Sequence, residues 1–351
     1  MDIDTITEDD MRFNPPRFSE NEIAAKVKAI YGLSGLWSTL VGERDQNFRL
    51  ITDGGQKYVV KIAGPDEDLD VSDFQVQALI HLEKVSPNIP VPRIIRTNAG
   101  NCLSSISDSK GVSHALRIVT YLEGIPYGEG NFPDNAHLQK IGAFQGEMVN
   151  AMAGFSHHAS SHFMPWNLSN GVAVSKDLWA VAAEDVKSLA APLLPRLRDH
   201  VLPILNASPS QVIHNDAHPY NLLRQDIESQ DVTGLIDFGD MVYAPIINDL
   251  AVMATTFQRK NINDIEIVTN LLIGFHRAHP LTDEQVSLLL DAMILRLLIT
   301  ILLTDIKINM EAMQDPDILT DRVEAFDMLQ RICRIDHDGM VNNLRAACGY
   351  N

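Results

Sequence analysis

Residues 214–221 read HNDAHPYN and residues 236–240 read IDFGD, and these two stretches are the most specific feature of the chain. Asp216 and Asn221 are five positions apart, and Asp237 lies sixteen positions further on. A carboxylate followed by an amide and a second carboxylate can supply a general base and oxygen ligands for a divalent cation. The apolar approaches QVIH and GLID predict a short strand before each loop.

The pattern H-x-D-x-x-x-x-N with a distal D-F-G has the spacing of the catalytic and metal loops of protein-kinase-like folds. Phosphoryl transfer needs a carboxylate that accepts the proton of the attacking hydroxyl, and oxygen ligands that hold magnesium on the nucleotide phosphates. It also needs an upstream cation, and Lys61 in the strand-like run YVVKI fits that role. The plainer alternatives are acidic loops with structural caps and a lysine that faces solvent from an edge strand.

The remaining pattern predicts an α+β, bilobal protein-kinase-like fold. Strand-like runs at 47–52 and 57–63 flank the turn Asp53-Gly54-Gly55, which is typical of a hairpin. We therefore expect an antiparallel-sheet N-terminal lobe over residues 1–119 that binds nucleotide. A hinge is expected at 120–124, followed by a mainly helical C-terminal lobe over 125–351 with the catalytic and metal loops.

Helix signals flank these loops. Ser19 and Glu22 form an S-x-x-E capping box, which predicts a helix start. Further helices are expected at residues 72–83, 134–153, 177–189 and 196–205 and over most of 247–347. The apolar run 286–304 contains Asp291 and Arg296, which favours a buried helix over a membrane span.

Composition bounds the partners and the compartment. The 351 residues include 28 Lys and Arg against 46 Asp and Glu, a net charge of −18. This acidity argues against binding to nucleic acid or an anionic membrane, because both need surplus cations. Three widely spaced cysteines form neither a disulfide framework nor a metal knuckle, and residues 1–16 lack the apolar core of a signal peptide. We expect a cytoplasmic protein.

The sequence resembles the aminoglycoside phosphotransferase-like family of small-molecule kinases, and within it the hydroxylysine kinase-like members. The resemblance runs from about residue 18 to residue 253. Besides the two loops, it is carried by the stretches FSENEIAAKVKAIYGL, GERDQNF, YVVKI, GFSHHASSHFMPWNLSN and DMVYAPIINDLAVM.

The resemblance implies a role for each matching residue. Asp216 would be the catalytic base, with Asn221 and Asp237 as ligands of Mg²⁺. Lys61 would hold the nucleotide phosphates. The carbonyl of Thr120 and the amide of Leu122 would bind the nucleotide base, and Asp249 would brace the catalytic loop.

The implied reaction transfers the γ-phosphoryl group of ATP or GTP to a hydroxyl of a small amine-bearing acceptor. A hydroxylysine-like acceptor is favoured. Homoserine, choline-like compounds and aminoglycosides remain alternatives, as does a nucleotide-binding pseudoenzyme.

Three departures from the family pattern bear on activity. Asn215 stands where most relatives have glycine. Gln75 occupies the place of the helix acid that usually pairs with the strand lysine, with Asp73 nearby as a substitute. The loop 42–48 has a single glycine, so it lacks the usual glycine-rich phosphate loop.

Other side chains are weaker candidates. Asp240 could meet a substrate ammonium, His218 could touch substrate or phosphate, and Trp166 could wall the acceptor pocket. A surface or core role is an alternative for each of them. His157, His158 and His162 could instead imitate the metal site of a hydrolase, a reading weakened by the absence of a glutamate between the paired histidines.

Overall fold

Alternating apolar residues build a sheet near the start of the chain. The computed structural model describes residues 15–171, 173–174, 179, 182–257, 264–311 and 316–351. Its first sheet consists of β1 (Gly35–Leu40), β2 (Gln46–Thr52), β3 (Lys57–Ile62), β4 (Ile94–Ile95), β5 (Ser104–Ser107) and β6 (Ser113–Thr120). The order is β1-β2-β3-β6-β4, with β5 also paired to β6, and every pairing is antiparallel. The register places Lys61 opposite Arg117.

Two helices accompany this sheet. Helix α1 (Glu20–Tyr31) begins at Ser19, and both hydrogen bonds of the predicted capping box are present. Helix α2 (Leu69–Val85) begins at Asp68, whose side chain accepts from the Asp70 amide. Ile23 and Val27 of α1 are buried in one apolar cluster with residues of β2, β3 and β6. The sheet and α1 therefore share a core of their own.

Helices dominate the rest of the chain, with short strands around the two loops. The helices are α3 (Asn135–Met152), α4 (Glu184–Ala190), α5 (Leu194–Arg196), α6 (Leu202–Ala207), α7 (Ile247–Thr256), α8 (Asp264–Ala278), α9 (Asp283–Glu311), α10 (Pro316–Ile332) and α11 (His337–Ala347). The strands are β7 (Ile125–Pro126), β8 (Ser210–Ile213), β9 (Leu222–Arg224), β10 (Val232–Leu235) and β11 (Val242–Pro245). Strand β9 pairs with β7 and β10, and β8 pairs with β11. An α+β fold with an antiparallel sheet and a mainly helical C-terminal part is thus confirmed.

Some expectations fall partly or wholly outside the described residues. Residues 1–14 lie outside them, as does part of the helix predicted at 177–189, of which Glu184–Ala190 is described. The helix predicted at 196–205 is present as α5 and α6 joined by a π-turn, Leu197–Val201. The helix predicted at 72–83 extends further at both ends, over Leu69–Val85.

The apolar run belongs to α9. Among the described residues one helix, Asp283–Asn309, is long and apolar enough to cross a membrane by length and composition. Of its most apolar window 89% is buried inside the protein, as in the core helix that the sequence predicts. Its buried residues belong to the large apolar cluster that also includes residues of α3, α7 and α8. Helix α9 therefore lies at the centre of the helical part.

Helices α3 and α8 approach each other closely through two glycines. A Cβ at Gly142 of α3 would overlap the carbonyl of Leu271, and one at Gly274 of α8 would overlap the carbonyl of Gln139. The glycines thus let the two backbones touch. Helix α3 also carries Gln145, which contacts the catalytic loop region described next.

Candidate active site

The loop 214–221 connects β8 to β9 and depends on Asp249. Asn215 has φ 63°, in the left-handed region that asparagine tolerates better than most residues. Its backbone N–H donates to Asp249 Oδ1 at 2.7 Å, and Gln145 Nε2 donates to Asp249 Oδ2 at 2.6 Å. Burial raises the pKa of Asp249 to about 6, although these two hydrogen bonds lower it. Asp249 thus lies where it can brace this loop, and asparagine suits the left-handed backbone at position 215.

Asp216 and Asn221 face each other across the same loop. Asn221 Nδ2 donates to Asp216 Oδ2 at 2.8 Å and to the Asp216 carbonyl at 2.9 Å. His218 Nε2 lies 3.6 Å from Asp216 Oδ2. Burial raises the pKa of Asp216, while the charges of His218 and Arg296 oppose the rise. Because the Asn221 nitrogen is engaged, its Oδ1 is the atom that can face a cation.

Asp237 lies after β10, beside Lys61. It has φ 59°, and its side chain is 51% exposed towards the cleft. Lys61 Nζ lies 3.4 Å from Asp237 Oδ1, and the Gly239 N–H donates to the same oxygen at 3.2 Å. The Lys61 ammonium holds the pKa of Asp237 well below its usual range. Asp237 is therefore a charged, accessible oxygen ligand.

The donor set of this region suits magnesium. Asn221 and Asp237 line one cavity and offer an amide oxygen and a carboxylate, the hard oxygen ligands that Mg²⁺ prefers when phosphates complete its shell. Lys61 already brings a positive charge beside Asp237. The residues present thus fit a divalent cation bound together with a nucleotide.

Lys61 pairs with an acid that the sequence did not single out. Its Nζ lies 3.6 Å from Asp45 Oδ2, in the glycine-poor loop before β2. The structure gives Gln75 a different partner: its Oε1 accepts from Arg117 Nη2 at 2.5 Å. The same Arg117 nitrogen donates to Asp45 Oδ2 at 3.0 Å. Lys61 and Arg117 therefore share Asp45, and Gln75 supports Arg117 rather than Lys61.

Asp73 and the three nearby histidines form contacts elsewhere. His157 Nε2 lies 3.2 Å from Asp73 Oδ2, and His158 Nε2 lies 2.9 Å from Asp70 Oδ2. His162 Nδ1 lies 2.9 Å from the Ala159 carbonyl. The histidines thus bond to α2 and to their own turn. Within the described residues no group of three or more His, Cys, Asp or Glu is arranged to hold a metal ion.

The segment predicted as the hinge follows β6. The Thr120 N–H donates to the Arg93 carbonyl at 2.9 Å, and the Thr120 hydroxyl accepts from the Arg93 N–H at 2.9 Å. The Tyr121 N–H donates to the Lys57 carbonyl at 3.0 Å. These bonds hold the strand end, while Thr120 and Leu122 lie outside the cavity lining. Binding of the nucleotide base by this segment stays a prediction.

A cavity of about 450 Å³ joins the sheet to the catalytic loop. Seven of the predicted site residues line it together, namely Lys61, Gln75, Asp216, His218, Asn221, Asp237 and Asp240. Trp166 also lines it, as a wall. Asp240 accepts from the Arg44 guanidinium of the opposite loop, so its carboxylate already has a cationic partner. Asp249, as a brace, lies behind the lining.

Several charged residues of this cavity were missed as site residues, and three of them matter most for its charge arrangement. Asp45 stands in the GERDQNF stretch, and Arg117 is placed opposite Lys61 by the β3–β6 register. Arg296 is the basic residue within the apolar run of α9. A charge inside an apolar run was the available signal for Arg296. Asp45 and Arg117 could have been recognised as site residues only if the pairing of the strands had been known.

A model of the phosphotransferase enzyme family matches residues 39–282. The chain belongs to this family. Its curated relatives include the hydroxylysine kinase of Mus musculus, 26% identical over 288 residues that cover 76% of each chain. The hydroxylysine kinase of Bos taurus is 25% identical over 292 residues, 77% of each chain.

Solved structures of small-molecule kinases share the fold. An amicoumacin kinase in complex with AMP-PNP, Ca²⁺ and Ami matches with a TM-score of 0.70 at 14% identity, over 92% of this chain and 97% of that one. A microcompartment-associated aminopropanol kinase matches with a TM-score of 0.68 at 15% identity, over 95% and 99%. The protein is thus a small-molecule kinase, a phosphotransferase that acts on hydroxyl acceptors.

Proposed function

We propose that this kinase transfers the γ-phosphoryl group of ATP or GTP, with Mg²⁺, to a hydroxyl of a small amine-bearing acceptor, most simply a hydroxylysine-like one. The observation that carries the proposal is the meeting of Asp216, Asn221, Asp237 and Lys61 at one cavity. The curated relatives, which are hydroxylysine kinases, support the acceptor class.

The chemistry follows from the protonation states. Asp216 accepts the proton of the acceptor hydroxyl while the hydroxyl oxygen forms a bond to the γ-phosphorus of the nucleotide. The bond between the γ-phosphorus and the β,γ-bridging oxygen breaks, and the nucleoside diphosphate leaves. Lys61 and Arg117 supply positive charge on the sheet side of the cavity for the phosphates. Mg²⁺, held by Asn221 and Asp237, would neutralise charge on the phosphates.

Burial suits Asp216 to this role. A base acts best when its pKa lies near the working pH, and burial moves the Asp216 pKa upward in that direction. Asn221 fixes the orientation of the carboxylate through Oδ2 and leaves Oδ1 of Asp216 for the acceptor. The half-exposed Asp237 is kept ionised by Lys61.

Other acceptors keep specific support. The amicoumacin and aminopropanol kinases act on other amine-bearing compounds, so homoserine, choline-like and aminoglycoside acceptors belong in any test. A nucleotide-binding pseudoenzyme is favoured by one feature, namely that Lys61 lacks an acid from α2.

For the compartment of the protein we propose the cytoplasm, which agrees with three free cysteines.

The test is a nucleotide-consumption screen with ATP and GTP, each with and without Mg²⁺. The acceptors are 5-hydroxylysine, homoserine, choline, aminopropanol and an aminoglycoside. We expect diphosphate formation that depends on Mg²⁺ and on one acceptor class, with Asp216→Asn protein as the blank. Slow diphosphate formation that is equal with every acceptor would instead identify a pseudoenzyme.

A further inference from the structure

One face of α9 lines the cavity that contains Asp216. Arg296, Thr300 and Thr304 follow each other at intervals of four residues, about one helical turn, and all three line the cavity. The two threonines keep this face small and polar. Arg296 brings a positive charge to this face from the middle of the helix, and Lys307 brings another nearer its C-terminal end.

Arg296 is buried and forms no ion pair within 4 Å among the described residues. Arg296 is only 6% exposed, and its guanidinium carbon lies 4.9 Å from the ring centroid of Trp166. Nη1 donates to the Trp166 carbonyl at 3.2 Å, while Nε has no hydrogen-bond partner among the described residues. Asp216 is the acid whose charge acts on Arg296 from within the cavity.

Two other buried arginines make more hydrogen bonds than Arg296, although Nη1 of Arg117 and Nε of Arg224 also lack a partner among the described residues. Arg117 donates to the carboxylate of Asp45. Arg224 donates to the carbonyls of Glu129, Asn131 and Ile227, at 2.6, 3.3 and 3.3 Å. Burying a guanidinium with one protein acceptor costs free energy, so an arginine in this state that lines a cavity favours an anionic ligand. The planar guanidinium matches a carboxylate in two-bond geometry.

We propose that Arg296 binds a carboxylate of the acceptor, so that the acceptor is a hydroxylated amino acid rather than an amino alcohol or an aminoglycoside. This inference rests on the proposed function, since it concerns the acceptor of the same site. The acceptor then presents its hydroxyl to Asp216 and its carboxylate to Arg296. Glu324 of α10 lines the same cavity and offers a negative charge for an ammonium group.

Two other roles for Arg296 can be distinguished from a carboxylate anchor by comparing two acceptors that differ only in the carboxylate. If Arg296 bound a phosphate of the nucleotide, its loss would slow every acceptor alike. If it only supported Trp166, its loss would also affect every acceptor alike. A carboxylate anchor alone makes the effect depend on whether the acceptor has a free carboxylate.

The experiment compares 5-hydroxylysine with its α-carboxamide, which differs only in that the carboxylate is neutralised. For the unaltered protein we expect kcat/KM about 10- to 100-fold higher with the acid, the range of a charge-assisted hydrogen bond. Arg296→Gln should bring the ratio of kcat/KM for the acid to kcat/KM for the amide down to about one, mainly by raising KM for the acid. Arg296→Lys should keep part of the preference.

A matched control is Lys307→Gln. Lys307 also lies over the Trp166 ring, at 5.7 Å, and is paired with Glu43. We expect this variant to keep the preference for the acid, and a lost preference there would overturn the assignment to Arg296. Arg296→Met, which keeps an unbranched apolar stem over Trp166, covers the case in which the glutamine variant does not fold.

Calorimetric titration of both compounds in the presence of AMP-PNP separates the two proposals. Equal binding and equal turnover of acid and amide would overturn the carboxylate anchor and leave the kinase assignment standing. Tighter binding of the acid that Arg296→Gln abolishes, without turnover of any acceptor, would support the anchor and overturn the proposed reaction.

Discussion

Lys61 Nζ lies 3.6 Å from the carboxylate of Asp45, and the acid that holds this lysine therefore comes from the loop before β2. Asp45 also accepts from Arg117, directly opposite Lys61 in the sheet. One carboxylate thus holds two cations, of which Lys61 lies beside Asp237. Gln75 of α2, neutral and bonded to Arg117, completes this arrangement without adding a charge.

Asp45→Asn should destabilise the fold. The side chains of Asp45 and Arg117 are 10% and 4% exposed, so Arg117 would keep a buried charge without its nearer acid, with Glu67 Oε1 left at 3.8 Å from Nη1. We expect the free energy of unfolding to fall by about 1.5–3 kcal/mol, the range of a hydrogen bond to a charged group. Urea denaturation of the unaltered protein and the variant measures this loss in the free energy of unfolding.

Glu43→Gln is the matched control for that variant. Glu43 lies in the same loop, and its side chain is 58% exposed in a pair with Lys307. Because the Glu43 carboxylate itself is exposed, its neutralisation should change stability by no more than about 0.5–1 kcal/mol. Equal stability losses for the two variants would contradict the role given to Asp45.

Asp216→Asn should remove the base and keep its surroundings. The asparagine Oδ1 can still accept from Asn221 Nδ2, so the loop conformation is retained. We expect kcat to fall by roughly 10²–10⁴-fold, the contribution of a general base, with nucleotide affinity nearly unchanged. Steady-state kinetics and a nucleotide titration measure the two effects. Retention of full turnover would remove Asp216 from the reaction.

Asp237→Ala should act on nucleotide binding instead. Its carboxylate is the accessible charged ligand beside Lys61, so the affinity gained on adding Mg²⁺ should drop by about 10- to 100-fold. Titration of the nucleotide with and without Mg²⁺ measures the gain. Asp53→Ala, in the exposed hairpin turn, is the control variant. It should keep the full gain in nucleotide affinity on adding Mg²⁺. An unchanged gain in Asp237→Ala would show that the metal is held elsewhere.

Asn215 offers a stability test of the catalytic loop. Its φ of 63° is left-handed, and its side-chain oxygen and nitrogen are buried without hydrogen-bond partners among the described residues. Asn215→Gly should therefore be neutral or stabilising, whereas Asn215→Ala should cost about 1 kcal/mol. Thermal unfolding of the two variants compares them directly. A glycine variant less stable than the alanine variant would mean that the amide group contributes to the fold.

The sequence predicted the parts of the site that are local in the chain. Asp216 and Asn221 are recognisable because one short loop fixes their spacing, and Asp237 is recognisable because it stands in the second short motif, IDFGD. Asp249 followed from the family pattern, and the hydrogen bond to the Asn215 amide places it accordingly.

The charge arrangement on the sheet could not be predicted in this way. Asp45, Arg117 and Gln75 belong to a loop, a strand and a helix that are far apart in sequence, and their contacts arise from packing. Asp240 illustrates the same limit of local patterns, since its partner Arg44 comes from a loop 196 positions away. Pairing between charges depends on which elements meet, and one sequence does not encode that in a local spacing.

The acid limb of the pH profile should report Asp216. Burial raises its pKa above the ordinary value of 3.8, and only the deprotonated carboxylate can accept a proton. Turnover should therefore be lost as pH falls towards this raised pKa, at a higher pH than for an ordinary aspartate. The charge of His218, 3.6 Å away, lowers the Asp216 pKa. His218→Gln should thus move the acid limb of kcat to higher pH, and a shift to lower pH would mean that His218 does not act on Asp216 through its charge.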